Sequence, residues 1–168
     1  MKDSELLELC NEYLNYNPET GSICWIKKAA KNTFIGVPIT TIDGRGYLKL
    51  RLDNKIYYQH RIAFLMYHGF LPRNIDHINH KKADNCIDNL RGCTHRQNNA
   101  NQKIRSTNTS GYKGVHKVGS KWACQIRVEG KKHWLGYFFC KHEAARAYNE
   151  KSLELYGEFA YLNEVNNG

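Results

Sequence analysis

The residues best suited to chemistry lie within positions 76–98 of the chain. Asp76 and His77 place a carboxylate beside an imidazole, and the amide side chains of Asn89 and Asn98 follow. Hydrolysis of a phosphodiester requires a group that takes a proton from water and a positive charge that neutralises the phosphate and the leaving oxygen. A neutral imidazole can do the first, and a hard divalent cation held by oxygen ligands can do the second. This stretch therefore predicts a nuclease site.

The Asp76–His77 pair stands in a short strand-like run, so the two side chains are expected to point in opposite directions. Asp76 is then the oxygen ligand of one divalent cation, for which Mg²⁺ is expected and Mn²⁺ or another ion is the alternative. His80 is a further candidate for a metal or phosphate contact, and an ordinary surface histidine is the alternative.

A helix is predicted to begin directly after the site. Thr94 and Gln97 have the spacing of a capping box, in which each side chain bonds to the other's backbone N–H. His95 and Asn98 then lie three residues apart on one side of the helix, and either can complete the metal shell. Arg91 and Arg96 nearby are expected to contact DNA phosphates, or else solvent.

The charge balance points to a polyanionic partner. The chain has 168 residues, with 25 Lys and Arg against 16 Asp and Glu, and a formal net charge of +9. Nucleic acid is the commonest polyanion and is therefore the expected partner, against the alternative of a merely basic protein. Double-stranded DNA in particular is what the family resemblances given below imply. The aromatic content of 12% excludes a disordered tail.

The cysteines and the apolar runs indicate the compartment. Six cysteines occur without a C-x-x-C pair, which predicts reduced thiols and no structural zinc. The N-terminus lacks the apolar core of a signal peptide, and no apolar run has the length of a membrane span. We therefore expect a cytoplasmic protein with no membrane partner. A monomer or weak dimer is also expected.

The elements around the site alternate between helices and short strands. A helix is expected from Ser4 as N-cap, with an apolar face that extends to Leu14. A strand is expected at 22–26, a hairpin with an Asp53–Asn54 turn at 47–59, and a helix at 60–69 that ends at a glycine.

A second module is predicted beyond a segment rich in Ser, Thr and Asn at 104–110. Three strand-like runs, at 112–117, 121–128 and 131–139, precede a helix from His142 that should pack across the resulting sheet. The predicted fold class is α+β, with a nuclease domain at 1–103, a linker at 104–110 and a second domain at 111–168.

The segment from His60 to about residue 101 resembles the HNH (ββα-metal) endonucleases, particularly the homing-type enzymes of bacteriophages. Those enzymes carry an Asp-His pair on a first strand, then Asn-Leu, then a helix with an Asn or His ligand. By this resemblance, Asp76 and Asn98 are metal ligands, His77 is the general base and Asn89 braces the loop. His95 is the alternative to Asn98, because family members differ between His and Asn at that place.

The same resemblance implies a homing-type endonuclease in a host-cell cytoplasm if a phage encodes the chain. One metal site for each chain implies nicking by a monomer, whereas a dimer could break both strands. The rival interpretation is a DNA-binding regulator that has lost catalysis.

Residues 111–163 resemble the plant Apetala/ethylene-response-factor DNA-binding domain, in runs such as Lys121-Trp122-Ala123-Cys124-Gln125-Ile126-Arg127 and Trp134-Leu135-Gly136-Tyr137-Phe138. That domain lays one face of a three-stranded sheet in the major groove. The positions that the resemblance assigns to DNA contact are Lys113, His116, Trp122, Gln125, Arg127 and Trp134.

Overall fold

The computed structural model describes residues 1–128 and 130–165. Its elements, in chain order, are α1 (Asp3–Tyr13), β1 (Leu14–Tyr16), β2 (Ile23–Trp25), β3 (Lys49–Leu52), β4 (Lys55–Tyr58), α2 (Gln59–His68), β5 (Asn74–His77), β6 (Leu90–Cys93), α3 (His95–Asn101), β7 (Val115–Val118), β8 (Lys121–Val128), β9 (Lys131–Phe138) and α4 (Lys141–Tyr156). The predicted mixed α+β class is confirmed. Internal contacts group the chain into two units, Met1–Cys93 and the part from Thr94 onward.

The first unit has its core between its two helices and its small sheets. Leu6 and Cys10 of α1 are buried in one cluster with Ile62 and Leu65 of α2. The prediction for the end of α1 was wrong, because Leu14 leaves the helix and opens strand β1, which pairs with β2.

Two local predictions in this unit are confirmed. The β3–β4 hairpin turns at Asp53 and Asn54, whose φ angles of 48° and 58° are the positive values that a two-residue turn requires. Helix α2 ends at Gly69, which has a φ of 78° and so forms a left-handed C-cap.

Strands β5 and β6 form an antiparallel pair that carries the candidate site. Asp76 lies opposite Arg91, and His77 lies opposite Leu90. The residues between the two strands form a loop that ends in one turn of 3-10 helix at Ile87–Asn89. His77 is therefore the last residue of β5, where the chain enters this loop.

The second unit begins with the predicted capping box. The Thr94 hydroxyl accepts from the Gln97 N–H at 3.2 Å, and the Gln97 side-chain oxygen accepts from the Thr94 N–H at 2.8 Å. Strands β7, β8 and β9 follow as an antiparallel sheet. Glu129, in the predicted turn between the last two strands, lies outside the described residues.

Helix α4 covers one face of this sheet. Ala144, Ala145 and Tyr148 of α4 are buried with Cys124 and Ile126 of β8. In the part of the chain that the structure describes, no helix is long and apolar enough to cross a membrane.

Candidate active site and nucleic-acid interface

The His77 imidazole lies in a pocket of aromatic rings at the end of β5. His77 is 6% exposed. The ring of His60, from the first turn of α2, meets it edge-on at a centroid distance of 5.2 Å, and the Tyr47 ring lies 5.9 Å away. On the remaining side, the Asn85 Oδ1 lies 3.2 Å from His77 Nε2. The ring is thus held in one orientation by three residues.

Burial keeps both histidines of this pocket neutral near pH 7. Burial lowers the pKa of His77, an effect that the Asn85 hydrogen bond and the Asp76 charge oppose. Burial, followed by the charges of His77 and Arg61, lowers the pKa of His60 to about 3. A neutral imidazole has a lone pair that can accept a proton, which a protonated ring lacks.

The Asp76 carboxylate is paired with the guanidinium of Arg91 on the neighbouring strand. It is 7% exposed, and its Oδ2 accepts from Arg91 Nη2 at 2.9 Å and from Nε at 3.1 Å. Arg91 was predicted to contact DNA phosphate, but the structure engages its guanidinium with Asp76.

Asn89 joins the two ends of the loop that follows β5. Its Oδ1 accepts from the Asn79 backbone N–H at 2.9 Å, and its Nδ2 donates to the Asp84 carbonyl at 2.7 Å. The Asn89 carbonyl also accepts from the Ile78 N–H at 2.9 Å. His80 stands in this loop with a left-handed φ of 61°.

The donors near Asp76 suit a hard cation. Asp76 provides a buried carboxylate, and Mg²⁺ usually binds through one or two carboxylates while keeping several waters and substrate phosphates as further ligands. Among the described residues, no cluster of three or more His, Cys, Asp or Glu side chains could hold a metal without such help. The candidate ligands His95, which is exposed, and Asn98, which is half-buried, lie on α3 in the second unit.

Three residues of the His77 pocket were missed at the level of the sequence: Tyr47, His60 and Asn85. His60 is the first residue of the segment that resembles the HNH endonucleases, which was a usable signal. No signal in the sequence pointed to Tyr47 or Asn85, because their proximity to His77 depends on how the β3–β4 hairpin and the loop after β5 fold.

In the second unit, strand pairing separates the predicted DNA contacts into two faces. His116, Gln125, Arg127 and Trp134 lie on the face that α4 leaves uncovered, which we call the open face. Lys132, opposite Arg127, and Tyr137, opposite Ala123, share this face and were not predicted.

The open face carries exposed aromatic rings beside cations. Trp134 and Tyr137 are 52% and 58% exposed, and their rings meet edge to face at a centroid distance of 4.7 Å. Strands β7, β8 and β9 contain no acidic residue. Positive charge with exposed aromatic rings is the composition expected of a nucleic-acid-binding surface.

Three predicted DNA contacts have other partners in the structure. Trp122 packs against the core on the α4 side of the sheet. The Lys113 ammonium donates to the carbonyls of Ala100 and Gln102, both at 2.7 Å, and burial lowers its pKa to about 8. Arg96 lies over the Tyr156 ring, 5.5 Å from its centroid.

Comparison with known proteins shows which family the segment around the first of these sites resembles. The family model described as HNH endonuclease matches residues 57–100, the segment that contains Asp76, His77, Asn89 and Asn98. An HNH endonuclease of Acanthamoeba polyphaga mimivirus is 34% identical over 110 residues, which are 63% of this chain and 57% of the relative. Protein 3.8 of Escherichia phage T7 is 33% identical over 96 residues, which are 55% of this chain and 78% of the relative.

A second group of relatives comes from plants. Dehydration-responsive element-binding protein 1B of Oryza sativa subsp. japonica is 37% identical over 70 residues, which are 36% of this chain and 32% of the relative. No solved structure was found to match the chain. The two resemblances inferred from the motifs are thereby confirmed, and the chain belongs to the HNH endonuclease family.

Proposed function

We propose that the chain is a divalent-metal-dependent DNA endonuclease in which His77 is the general base. The observation that carries this proposal is the state of His77, a buried imidazole that burial keeps neutral and three neighbours orient. Such a ring is prepared to take a proton, whereas an exposed histidine would have to be oriented by the substrate.

In the proposed reaction, His77 accepts a proton from the attacking water. The water oxygen bonds to phosphorus while the bond from phosphorus to the leaving oxygen breaks, and that oxygen takes its proton from solvent. The rings of His60 and Tyr47 exclude water from two sides of His77. Asn89 keeps the loop after β5 closed, so that the His77 backbone, at the entrance to the loop, stays in place.

HNH nucleases generally use a divalent metal, which when bound neutralises negative charge on the phosphate and the leaving oxygen. Asp76 is the proposed protein ligand, together with Asn98 or His95, and Mg²⁺ is the proposed ion. Arg91 keeps the Asp76 carboxylate oriented and supplies a second positive charge beside it.

Double-stranded DNA is the proposed substrate, gripped by the open face of the second unit. Arg127 and Lys132 can neutralise phosphates, while Trp134 and Tyr137 offer rings to bases or sugars. One site for each chain would nick one strand at a time.

A DNA-binding regulator without catalysis is the competing function, and one observation favours it. The Arg91 guanidinium already neutralises the Asp76 carboxylate, which could hold that site without a metal. The two functions differ in whether any divalent ion permits cleavage.

A pool of supercoiled plasmids with random inserts, incubated with Mg²⁺ or Mn²⁺, separates the two functions. We expect open circles that disappear with a chelator and with His77→Ala, because losing a general base costs on the order of 10²- to 10⁴-fold in rate. His142→Ala, which removes a histidine from α4, is the matched control. DNA binding by the wild type without cleavage in either ion would refute the nuclease.

A further inference from the structure

Asn85 is a buried polar residue with an unusual pattern of contacts. It is 1% exposed, and its Oδ1 faces His77 Nε2 at 3.2 Å. Its Nδ2 is buried and has no hydrogen-bond partner among the described residues. An unpartnered amide nitrogen destabilises a folded protein, so loop stability does not account for an asparagine at this position.

The backbone of Asn85, in contrast, is held firmly by the N-terminal hairpin, residues 14–25. The Tyr16 hydroxyl donates to the Asn85 carbonyl at 2.8 Å, and the Ile87 N–H donates to the Pro18 carbonyl at 2.9 Å. Both bonds join the hairpin to the loop that carries Asn85. They fix the place from which the Asn85 side chain extends.

Gly21 allows the backbone of the N-terminal hairpin to lie close against the backbone of the Asn85 loop. A Cβ at this position would lie 2.4 Å from the Cys86 nitrogen and 2.5 Å from the Asn85 carbonyl carbon. The φ of Gly21 is +71°, which side chains other than glycine adopt at a cost. The turn of the hairpin therefore lies directly against the loop, without an intervening side chain.

We propose that Asn85 is a positioning residue for His77 and that the N-terminal hairpin holds Asn85 in place. The Asn85 Oδ1 accepts from Nε2–H of the neutral ring, which selects one tautomer and leaves the lone pair on Nδ1. Nδ1 is then the atom that takes the proton from water. This inference rests on the proposed function of His77 as a base, and it gives residues 14–25 a part in the reaction.

The division of contacts within Asn85 supports this assignment. Its backbone makes the connection to the hairpin, whereas the hydrogen bond of its side chain goes to His77. The rest of the loop that carries Asn85 is braced separately by Asn89. Replacing the Asn85 amide by an apolar group of similar size should thus leave the loop intact and free the His77 ring.

Asn85→Leu is the direct test, with Asn85→Ala as a second variant in case the larger side chain disturbs folding. The rate at which the full chain forms nicked plasmid is measured under single-turnover conditions. We expect the rate at saturating protein to fall roughly 10- to 100-fold, because orienting partners of a catalytic group have effects of that size. The protein concentration at half-saturation should not change. A loss of affinity with an unchanged maximal rate would overturn the inference.

A spectroscopic measurement tests the hydrogen bond without relying on cleavage. Long-range ¹H–¹⁵N NMR spectra at about pH 8, above the usual histidine pKa of about 6.5, report which ring nitrogen carries the proton. We expect His77 to carry it on Nε2 in the wild type and to lose this preference in Asn85→Leu. A wild-type ring protonated on Nδ1, or a tautomer unaffected by the substitution, would overturn the inference.

Gly21→Ala tests the role of the hairpin, and Gly36→Ala is its matched control. Gly36 has a similar φ of +75°, but a Cβ there meets nothing within 4 Å. Both variants carry the same backbone strain, and only the first pushes against Asn85. We expect Gly21→Ala to reproduce the slower rate and the mixed tautomer of Asn85→Leu, and Gly36→Ala to behave as the wild type. Identical behaviour of the two glycine variants would contradict the role of the hairpin.

Cleavage by His77 and its positioning by Asn85 can fail independently, and the two failures are distinguishable. If the wild type cleaves no DNA but His77 shows the Asn85-dependent tautomer, the proposed function fails and the positioning contact stands. If the wild type cleaves and the Asn85 variants cleave equally fast, the nuclease stands and the positioning role is wrong.

Discussion

His60 should make the stability of the first unit depend on pH. Burial lowers its pKa to about 3 in the folded chain, whereas an unfolded histidine has a pKa of about 6.5. Below about pH 6.5 the unfolded chain binds a proton that the folded chain does not bind. The free energy of unfolding therefore falls as the pH decreases from about 6.5 toward about 3, and His60 has no such effect above that window.

The expected loss at pH 5 follows directly. That pH lies about 1.5 units below the unfolded pKa, and each unit corresponds to about 1.36 kcal/mol, so His60 should cost about 2 kcal/mol. Any folded pKa below about 4 gives nearly the same value, since the folded ring is then neutral at pH 5.

His60→Phe isolates this contribution. The phenyl ring keeps the packing against His77 and removes the buried Nδ1 that has no hydrogen-bond partner among the described residues. Urea unfolding is followed by the amide NMR signals of Ile62 and Leu65, so that only the first unit is measured. Between pH 7.5 and pH 5 the wild type should lose about 2 kcal/mol more than the variant. An equal loss of unfolding free energy in the wild type and the variant would show that His60 is protonated in the folded state.

Two further predictions concern the second unit. Arg127→Ala should weaken DNA binding and reduce the slope of log K for DNA binding against log salt concentration by about one. Lys151→Ala on α4 is the control and should change neither quantity. Equal effects of the two substitutions would contradict DNA binding by the open face. Asn163→Ala should lower the free energy of unfolding of this unit by about 1–3 kcal/mol, because the buried Asn163 side chain bonds to both the N–H and the carbonyl of Lys113. Chemical denaturation followed by signals from β8 measures it, and an unchanged midpoint would refute the reasoning.

What could be predicted from the sequence was decided by residues close together along the chain. The Asp53–Asn54 turn and the Thr94–Gln97 capping box depend on groups at most three positions apart, so composition and spacing suffice. The end of α1 was predicted wrongly because Leu14 fits the spacing of the apolar face of that helix. Its pairing with Trp25 nevertheless places it in a strand.

The candidate site was predictable as a set of residues but not as a set of contacts. The Arg91–Asp76 ion pair depends on the register between β5 and β6, which the spacing of the motif does not specify. The contact of Asn85 with His77 depends on Tyr16, which is 69 positions from Asn85. Lys113 was assigned to DNA by resemblance, but two carbonyls of its own unit hold its ammonium.

The attachment of the N-terminal hairpin to the Asn85 loop bears on how small a working nuclease can be made from this chain. A peptide limited to residues 57–100 retains Asp76, His77, Asn89 and Asn98. It lacks the hydroxyl of Tyr16, the carbonyl of Pro18 and the ring of Tyr47, all of which come from earlier in the chain. Transplanting the motif alone into another protein would therefore transfer the reactive groups without the residues that orient them. A working graft would have to begin at the first hairpin.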